Sequence, residues 1–538
     1  MTPFPKLLAR RPDDRISLRS RPVLPITQIR RTALLLLLLA GFPHSLAAFE
    51  FATVINRAET LATSPFQAPP AVPKFMRELD YSQYQDIRFD PEKSLWRETG
   101  ANFQVMLIPP GLFYGHAVRI NIVDAEGSRP LPFRRDAFTF SDPNLAKRIP
   151  PDLGHAGFKL TFPLKGQGER NQFLVFAGAS YFRGVGRDNG FGLSARGMAL
   201  DTGLPSGEEF PSFVEFWLLR PSPEARQMQV YALLDGPSAT GAYAFTITPG
   251  TATTVAVKAR LFARKPLGLP GLAPLTSMFF YGENTGRPAG EWRRQVHDSD
   301  GLLIHDGGTG EWLWRPLLNP KTLQMDSFTT DNVRGFGLLQ RDTDFRDYLD
   351  GEAQYHSRPS AWVEPVGDWG KGRVVLVQLP TQDETNDNIV AFWTPDRPVS
   401  PEAPLALEYV LQFGNHQITG EQMGRVVNTL VGDGSRIGGG TTEGAYRLVV
   451  DFTGGRLDGL SSRARVTATV TALDDGEILD HYVEYVPAHR CWRLSMLARP
   501  AADKPLSLRA FLQSGVDTLT ETWTYRLPAD NDIRPEGD

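Results

Sequence analysis

The sequence predicts an all-β protein, and three observations lead to this fold class. Short runs rich in β-branched and aromatic residues recur along the chain, glycine (50 residues) and proline (43 residues) are frequent, and long apolar helical stretches are rare. The 538 residues, of which 41% are hydrophobic, are enough for a large core and for two to four domains. We therefore expect most of the chain to form layered sheets joined by turns.

The order of elements follows from these runs. Near the start, "EFATVINRAETLAT" predicts a short helix and "SPFQAPPAVPKF" a proline-rich link. From about residue 100, strands are expected because apolar and β-branched runs are broken by Gly, Pro, Asn and Asp. The clearest of these runs are "FQVMLI", "HAVRINIV", "GFKLTFPL", "FLVFAGASYF", "QMQVYALLDG", "YAFTITPG", "TTVAVKARLFA", "KGRVVLVQLP" and "NIVAFWTP".

A proline-rich stretch divides the chain. "TPDRPVSPEAPL" carries four prolines within a short polar segment, which is typical of a domain boundary. We therefore predict a large β-sandwich domain over 49–397, a linker over 398–403 and a smaller domain over 404–528, with a tail over 529–538. The smaller domain has about seven strand-like runs, the number in an immunoglobulin-type sandwich.

The N-terminal segment predicts export. A basic pair, the apolar run from Ala33 to Ala40 and the small residues Ala47 and Ala48 form the three regions of a signal peptide over residues 1–48. An uncleaved anchor is the alternative. In a bacterium, export means the periplasm. Cys491 is the single cysteine, so the mature fold can contain no internal disulfide, and its apolar neighbours predict a buried structural thiol.

The charge distribution argues against nucleic acid as a partner. Residues 1–48 hold eight Lys or Arg and two Asp, so the remaining body carries a net charge of about −10. An acidic surface repels phosphate backbones and suits a neutral or diffusible ligand. The chain also lacks the GxxxxGK[ST], GxSxG, HExxH and CxxC motifs, and no cofactor is expected.

Two stretches concentrate polar side chains that can carry chemistry. "HDSDGLLIHDGGTGEWLWRP" (297–316) has Asp and His beside Trp and Arg, and three interpretations remain open: a metal site, a solvated loop, or the polar wall of a sugar-binding cleft. The spacing matches no metal-binding pattern, so no metal is expected. "PTQDETNDNIVAFWTP" (380–395) places Asp383, Glu384 and Asp387 in a loop between two strands. That loop is either a hydrated turn or the acidic end of an active site, since close carboxylates raise one another's pKa.

The longer motifs resemble a known family. "GASYFRGVG", "FGLSARGMALDTGLPSGEEFP", "VYALLDGPSATGAY", "LGLPGLAPLTSMFFYG", "GTGEWLWRPLLNP", "GFGLLQRDTDF", "RPSAWVEPVGDWGKG", "PTQDETNDNIVAFWTP" and "ETWTYRLP" resemble the OpgG/OpgD (MdoG/MdoD) family of osmoregulated periplasmic glucan biosynthesis proteins. The similarity covers nearly all of residues 75–528, and the 380–395 motif is closer to the OpgG branch. It implies a large galactose mutarotase-like sandwich with an extended cleft, followed by a smaller immunoglobulin-like sandwich.

The resemblance also implies an activity and its residues. It predicts an inverting glycoside hydrolase that acts on the β-1,2-linked glucan backbone. Asp387 corresponds to the general acid and Glu384 lies beside it, while Asp298 and Tyr355 belong to the catalytic cleft and proton relay. The general base is either Asp298 or Glu384.

Further residues in the family motifs are candidates for substrate binding. These are Trp312, Arg315, Arg196, Tyr181 and Trp362, each of which could instead serve packing. The expected partners are the glucan and the inner-membrane glucan synthase, and a homodimer is compatible with the resemblance. The alternative function is a non-catalytic glucan-binding or assembly factor. A third, sugar epimerase or mutarotase activity, rests on fold analogy alone.

Overall fold

β-strands form most of the part of the chain that the computed structural model describes, namely residues 49–435, 440–502 and 504–528. This confirms the prediction of an all-β, sandwich-like protein. The predicted signal peptide and the predicted tail lie outside the described residues. None of the described helices is long and apolar enough to cross a bilayer.

The helices are few and short. The α-helices are α1 (Phe51–Ala62), α2 (Lys74–Arg77), α3 (Tyr81–Gln85), α4 (Pro143–Arg148) and α5 (Phe345–Tyr348). Single 3₁₀ turns span Pro91–Lys93, Arg135–Ala137, Tyr355–Ser357, His416–Thr419 and Gly455–Gly459. The helix predicted near the start of the chain is α1, which buries Val54 and Ala58 against a strand bearing Trp217.

The first half of the described chain contains strands β1 to β16. They are β1 (Ile87–Phe89), β2 (Gln104–Ile108), β3 (Arg119–Asp124), β4 (Gly127–Pro130), β5 (Phe138–Phe140), β6 (Gly157–Phe162), β7 (Asn171–Ala177), β8 (Tyr181–Gly184), β9 (Ser194–Arg196), β10 (Met198–Leu200), β11 (Ser212–Leu219), β12 (Met228–Asp235), β13 (Ala239–Thr248), β14 (Thr253–Ala263), β15 (Pro270–Ser277) and β16 (Phe279–Tyr281).

The second half contains strands β17 to β33. They are β17 (Val296–His297), β18 (Gly301–Asp306), β19 (Trp312–Pro316), β20 (Gln324–Thr330), β21 (Val333–Leu339), β22 (Ser360–Pro365), β23 (Gly372–Gln378), β24 (Ile389–Pro395), β25 (Leu405–Gly414), β26 (Arg425–Ser435), β27 (Thr441–Thr453), β28 (Thr467–Ala472), β29 (Gly476–Val486), β30 (Cys491–Pro500), β31 (Leu506–Ser514), β32 (Asp517–Thr518) and β33 (Thr522–Leu527).

Three sheets carry the architecture. Sheet A has the order β2-β6-β7-β8-β9-β15-β24-β23-β20, with β10 beside β15. Sheet B has the order β28-β31-β33-β19-β18-β21-β22-β25-β14-β13-β12-β11-β3-β4, with β32 beside β31. Sheet C has the order β26-β27-β30-β29. The remaining strands form the two-stranded pairs β1-β5 and β16-β17.

Sheets A and B enclose the main core. Phe176 and Phe182 on sheet A pack against Phe245 on sheet B, with ring centroids 5.2 and 5.4 Å apart. These rings belong to one continuous cluster of buried apolar side chains. Burial of side chains of this size stabilises a fold by about 1.5–3 kcal/mol each, so this cluster is the main source of stability.

A second core lies between sheet C and one end of sheet B. Leu448 and Leu494 of sheet C share a buried cluster with Trp523 of β33. Sheet B is continuous between the two cores because β19 pairs in parallel with β33, Trp314 lying opposite Trp523. Cys491 at the start of β30 is a free, buried thiol, as its neighbours predicted.

The strand that follows the proline-rich stretch belongs to the large sandwich by its pairing. Strand β25 lies in sheet B between β14 and β22, where Tyr409 is opposite Val257 and Val363 is opposite Leu411. The predicted division at 398–403 assigns this strand to the smaller domain, and the division itself stays a prediction. In the structure, the four strands of sheet C begin with β26, and the second core also contains side chains from the β18, β19, β21 and β22 strands of sheet B.

Candidate active site

The outer face of sheet A carries the first part of the candidate site. Side chains alternate along a strand, so Phe182 and Ala195 point into the core while Tyr181, Arg183 and Arg196 lie on the opposite face. Tyr181 of β8 is directly opposite Arg196 of β9. Sheet geometry thus places an aromatic ring and two guanidinium groups together outside the core.

Arg196 is fixed by three contacts. Its Nε donates to Thr276 Oγ1 at 2.8 Å, and its Nη1 forms an ion pair with Glu208. Its guanidinium carbon lies 4.6 Å from the centre of the Tyr181 ring, within the range of a cation–π interaction. Arg196 therefore holds the Tyr181 ring in place.

The loop between β23 and β24 presents the acidic residues. Its ends are closed by the Leu379 N–H, which donates to Asn388 O at 2.8 Å. The Asn388 side chain anchors it further: Oδ1 accepts from Phe279 N at 2.9 Å and Nδ2 donates to Phe279 O at 3.0 Å. Asp383 accepts from Thr385 N at 2.8 Å, which makes it a turn residue. The loop therefore has a defined shape.

Asp387 lies at the end of this loop, above β8. Arg183 Nη2 donates to Asp387 Oδ2 at 3.4 Å, and Arg183 Nε donates to Ser194 Oγ at 2.7 Å. Burial raises the pKa of Tyr181, and the negative charge of Asp387 raises it further, while the Arg196 guanidinium acts in the opposite direction. Asp387 and the Tyr181–Arg196 pair thus belong to one surface.

Glu384 is paired with an arginine on a different segment. Arg293 Nη1 lies 2.5 Å from Glu384 Oε2. Arg293 also donates to Glu291, with Nη2 to Oε2 at 2.8 Å, and its Nη1 donates to Asp350 at 3.3 Å. Because several carboxylates hold Arg293, Glu384 docks against a guanidinium that is already positioned.

Asp298 is the most deeply buried of the three candidate carboxylates. It follows β17, its N–H donates to Met278 O at 2.8 Å, and its Oδ1 lies 3.1 Å from Arg358 Nη1. Burial raises the pKa of Asp298 to about 6, and Arg358 opposes this increase. The charges of Asp387 and Glu384 add to it. Asp387 and Glu384 therefore both lie within electrostatic reach of Asp298.

Tyr355 lies in the same cluster. It begins the 3₁₀ turn before β22, and the Arg358 guanidinium carbon lies 4.9 Å from its ring centre. Burial raises the pKa of Tyr355, and the charges of Glu384 and Asp298 raise it further. Arg358 thus contacts both Asp298 and Tyr355.

The structure brings six of the nine candidate residues together. Four are the candidates for catalysis and two are the Tyr181–Arg196 pair. The other three, two tryptophans and an arginine, lie on sheet B and make their contacts away from this group. The set that comes together is Asp387, Glu384, Asp298, Tyr355, Tyr181 and Arg196.

The two tryptophans form a stack on sheet B. The Trp312 ring lies 4.1 Å from the His305 ring and 5.7 Å from the Trp362 ring, centre to centre. Trp362 lies over Gly335, where a Cβ would come within 2.1 Å of its ring. The stack borders a cavity of about 330 Å³ whose lining contains none of the four catalytic candidates. Sugar binding by Trp312 and Trp362 therefore stays a prediction.

Arg315 forms a buried ion pair. Its Nη2 donates to Asp326 Oδ2 at 2.7 Å, and Asp326 also accepts from Arg526 Nη1 at 3.2 Å. This pairing links β19 with β20 and β33. A role of Arg315 in substrate binding also stays a prediction.

Asp306, in the acidic stretch after Asp298, stabilises a turn. Asp306 accepts from Thr309 N at 2.8 Å and forms a hydrogen bond with Thr330. Within residues 49–435, 440–502 and 504–528, no three His, Cys, Asp or Glu side chains are grouped so that they could hold a metal ion.

The arginine partners of the carboxylates were missed in the sequence. Arg183, Arg293 and Arg358 each pair with one candidate acid. Arg183 and Arg358 stand in two of the family-like motifs, "GASYFRGVG" and "RPSAWVEPVGDWGKG", and this was the available signal. The sequence does not reveal which acid each arginine contacts, because the partners are far apart along the chain; Arg183 and Asp387, for example, are separated by 204 positions.

Comparison with known proteins gives the family. The model of the family described as "Periplasmic glucan biosynthesis protein, MdoG" matches residues 49–527. The chain belongs to this family. It is also 45% identical, over 508 residues, to "Glucans biosynthesis protein G" of Ralstonia nicotianae (strain ATCC BAA-1114 / GMI1000), which covers 93% of this chain and 99% of the relative.

The MdoG family match confirms the resemblance on which the site assignment was based. Among solved structures, the Slr1438 protein of Synechocystis sp. PCC 6803 is similar at 9% identity with a TM-score of 0.16, over 65% of this chain and 97% of that one. A similarity at that level carries no argument. The family and the relative both point to glucan biosynthesis.

Proposed function

We propose that this member of the MdoG family is an inverting glycoside hydrolase that cleaves the β-1,2-linked glucan backbone in the periplasm. The observation that carries the proposal is the grouping of Asp387, Glu384 and Asp298 with Tyr355 beside the exposed face of sheet A. Glycoside hydrolysis needs at least two carboxyl groups in different protonation states, and close carboxylates in unequal environments provide them.

The proposed roles follow from the surroundings of each acid. Asp387 borders Tyr181 at the surface and is the proposed general acid that protonates the leaving glycosidic oxygen. Inversion requires another group to activate water on the opposite face of the sugar. Asp298, with its pKa raised to about 6, is ionised at neutral pH and can accept the proton of the attacking water.

Glu384 is the second candidate for the base. If Asp298 accepts the proton, kcat should rise as the pH increases through about 6, where its carboxyl ionises. Tyr355 lies within electrostatic reach of both Asp298 and Glu384, so it is the proposed relay between the water and either carboxylate.

A non-catalytic glucan-binding or assembly factor is the second candidate function. The observation that favours it is that each of the three carboxylates has an arginine partner. Paired charges of this kind are also suited to binding sugar hydroxyl groups. In this role the protein would guide the nascent chain from the inner-membrane glucan synthase, its proposed partner, with a homodimer as a further possibility.

The experiment that separates these functions uses the purified protein and linear β-1,2-glucan. Hydrolysis predicts new reducing ends, and NMR should show the first product in the α-configuration, opposite to that of the substrate. A β-1,3-glucan serves as the control polymer. Binding of β-1,2-glucan without any new reducing ends would reject the hydrolase and support the binding factor.

A further inference from the structure

The side chain of Gln340 joins two segments of the candidate site. Gln340 follows β21 and is 1% exposed. Its Nε2 donates to the backbone oxygen of His297 at 2.9 Å and to that of Tyr355 at 3.2 Å. His297 directly precedes Asp298, so this one buried amide is hydrogen-bonded both to the backbone next to Asp298 and to the backbone of Tyr355.

The orientation of this amide is fixed by its partners. Two carbonyl oxygens can accept only from the NH₂ group, so Oε1 must face the other way. There it lies 2.9 Å from His297 Nδ1, which therefore donates to it. The Gln340 N–H donates to Ser360 Oγ at 2.9 Å, which holds the residue at its backbone as well. Every polar group of the side chain is thus used.

Arg358 forms a second connection between the same two segments. Arg358 donates through its N–H to Tyr355 O at 3.0 Å, while its guanidinium contacts the Asp298 carboxylate and the Tyr355 ring. Asp298 and Tyr355 are 57 positions apart in sequence; Asp298 directly follows the two-residue strand β17, and Tyr355 begins a 3₁₀ turn. Local structure alone therefore does not fix their relative positions.

We propose that Gln340 is a positioning residue, which holds the Asp298 and Tyr355 segments in register for the reaction. This inference rests on the proposed hydrolase function. Gln340 contacts neither the carboxylate of Asp298 nor the hydroxyl of Tyr355 and acts only through their backbones. Misplacement by about 1 Å can lower the rate of an enzyme by about 10²-fold, so loss of the amide should lower kcat rather than raise KM.

The first test measures the connection itself and needs no activity. Gln340→Met keeps the length of the side chain and removes its hydrogen bonds, and Gln340→Glu replaces the two N–H donors by an acceptor. Hydrogen exchange should accelerate together in the peptides around Asp298 and Tyr355 in both variants. Gln104→Met is the matched control, because Gln104 is a buried amide on β2 whose Nε2 donates to the nearby Ala101 O at 3.4 Å. Unchanged exchange around Asp298 and Tyr355, or equal acceleration in the control, overturns the proposal.

The second test links the connection to hydrolysis. We expect kcat on linear β-1,2-glucan to fall at least tenfold in Gln340→Met with little change in KM. The fall should be smaller in a Tyr355→Phe background, where the part of the effect that acts through the Tyr355 hydroxyl is already lost and only the part that acts through Asp298 remains. An equal loss in both backgrounds, or a loss matched by Gln104→Met, contradicts positioning. If the wild-type protein releases no oligosaccharide, the proposed hydrolase fails, and hydrogen exchange still decides whether Gln340 joins the two segments.

Discussion

The Arg358 guanidinium lies 3.1 Å from the carboxylate of Asp298, which is buried beside two further acids. Removing a charge from water costs several kcal/mol, and a paired cation offsets that cost only while it stays in place. Arg358 therefore makes an ionised Asp298 compatible with the fold. The behaviour of the site with pH depends on this contact.

Replacing Arg358 should destabilise the protein in a pH-dependent way. Arg358→Leu leaves the Asp298 carboxylate without its cation, and breaking a buried pair costs about 3–5 kcal/mol. The loss should be larger at pH 7.5 than at pH 5, where Asp298 can hold a proton instead. Urea unfolding at both pH values measures it.

A matched substitution controls for the loss of any arginine. Arg346→Leu removes an exposed guanidinium that pairs with Asp344, and it should barely change the free energy of unfolding. The double variant Arg358→Leu with Asp298→Asn should recover much of the loss. If the single variant is as stable as the wild type at pH 7.5, Arg358 does not compensate Asp298.

As the pH rises from 4 to 6, the free energy of unfolding of the wild type should fall relative to that of Asp298→Asn. The pKa of Asp298 is about 6 in the folded protein, mainly through burial, and about 4 in an unfolded chain. The folded state then binds more protons over this range, so the free energy of unfolding decreases as pH rises. A pKa that is about 2 higher in the folded than in the unfolded protein corresponds to a change of about 3 kcal/mol in the free energy of unfolding. Denaturant unfolding of both proteins at a series of pH values measures it, and parallel curves would show that the pKa of Asp298 is unshifted.

Substrate affinity should depend on Tyr181 more than on Trp312. The Tyr181 ring borders Asp387, whereas Trp312 is stacked between other rings on sheet B. Loss of an aromatic contact of about 0.5–1.5 kcal/mol predicts a rise in KM of about 2- to 10-fold for Tyr181→Leu. Trp312→Leu should instead lower the free energy of unfolding by about 1–3 kcal/mol.

Steady-state kinetics and urea unfolding of the two variants decide between the rings. A larger KM for Trp312→Leu than for Tyr181→Leu would place a glucose subsite at the tryptophan stack. In that case the assignment of Trp312 and Trp362 to substrate binding, which the sequence suggested, would be correct.

The sequence predicted the strands well because each depends on local patterning. β8 illustrates this, since the alternation of Tyr181, Phe182 and Arg183 separates the core face from the outer face. The placement of β25 could not be predicted, because its partner β14 begins about 150 positions earlier. The proline-rich segment before β25 resembles a linker in sequence. In the structure it is attached to the rest of the chain, since the Leu267 N–H donates to Val399 O at 3.0 Å.

The candidate site was predictable only in part for the same reason. Asp387 and Glu384 lie close together in one motif, so the family resemblance identified them. The contacts of Gln340 depend on segments 43 and 15 positions away, and nothing in the local sequence marks it. Aromatic residues were the least predictable, since Tyr181 at the site and Trp362 in a packed stack have equally apolar neighbours.

The most direct test of the hydrolase is the activity of Asp387→Asn on linear β-1,2-glucan, compared with wild type and with Asp383→Asn. The control makes the same change in the same loop, at a carboxylate that accepts only local hydrogen bonds. A general acid contributes about 10²- to 10⁴-fold to the rate. We expect Asp387→Asn to lower kcat at least 100-fold while Asp383→Asn stays close to wild type. Equal kcat in all three proteins, or an equal loss in both variants, would contradict the assignment of Asp387 as the proton donor.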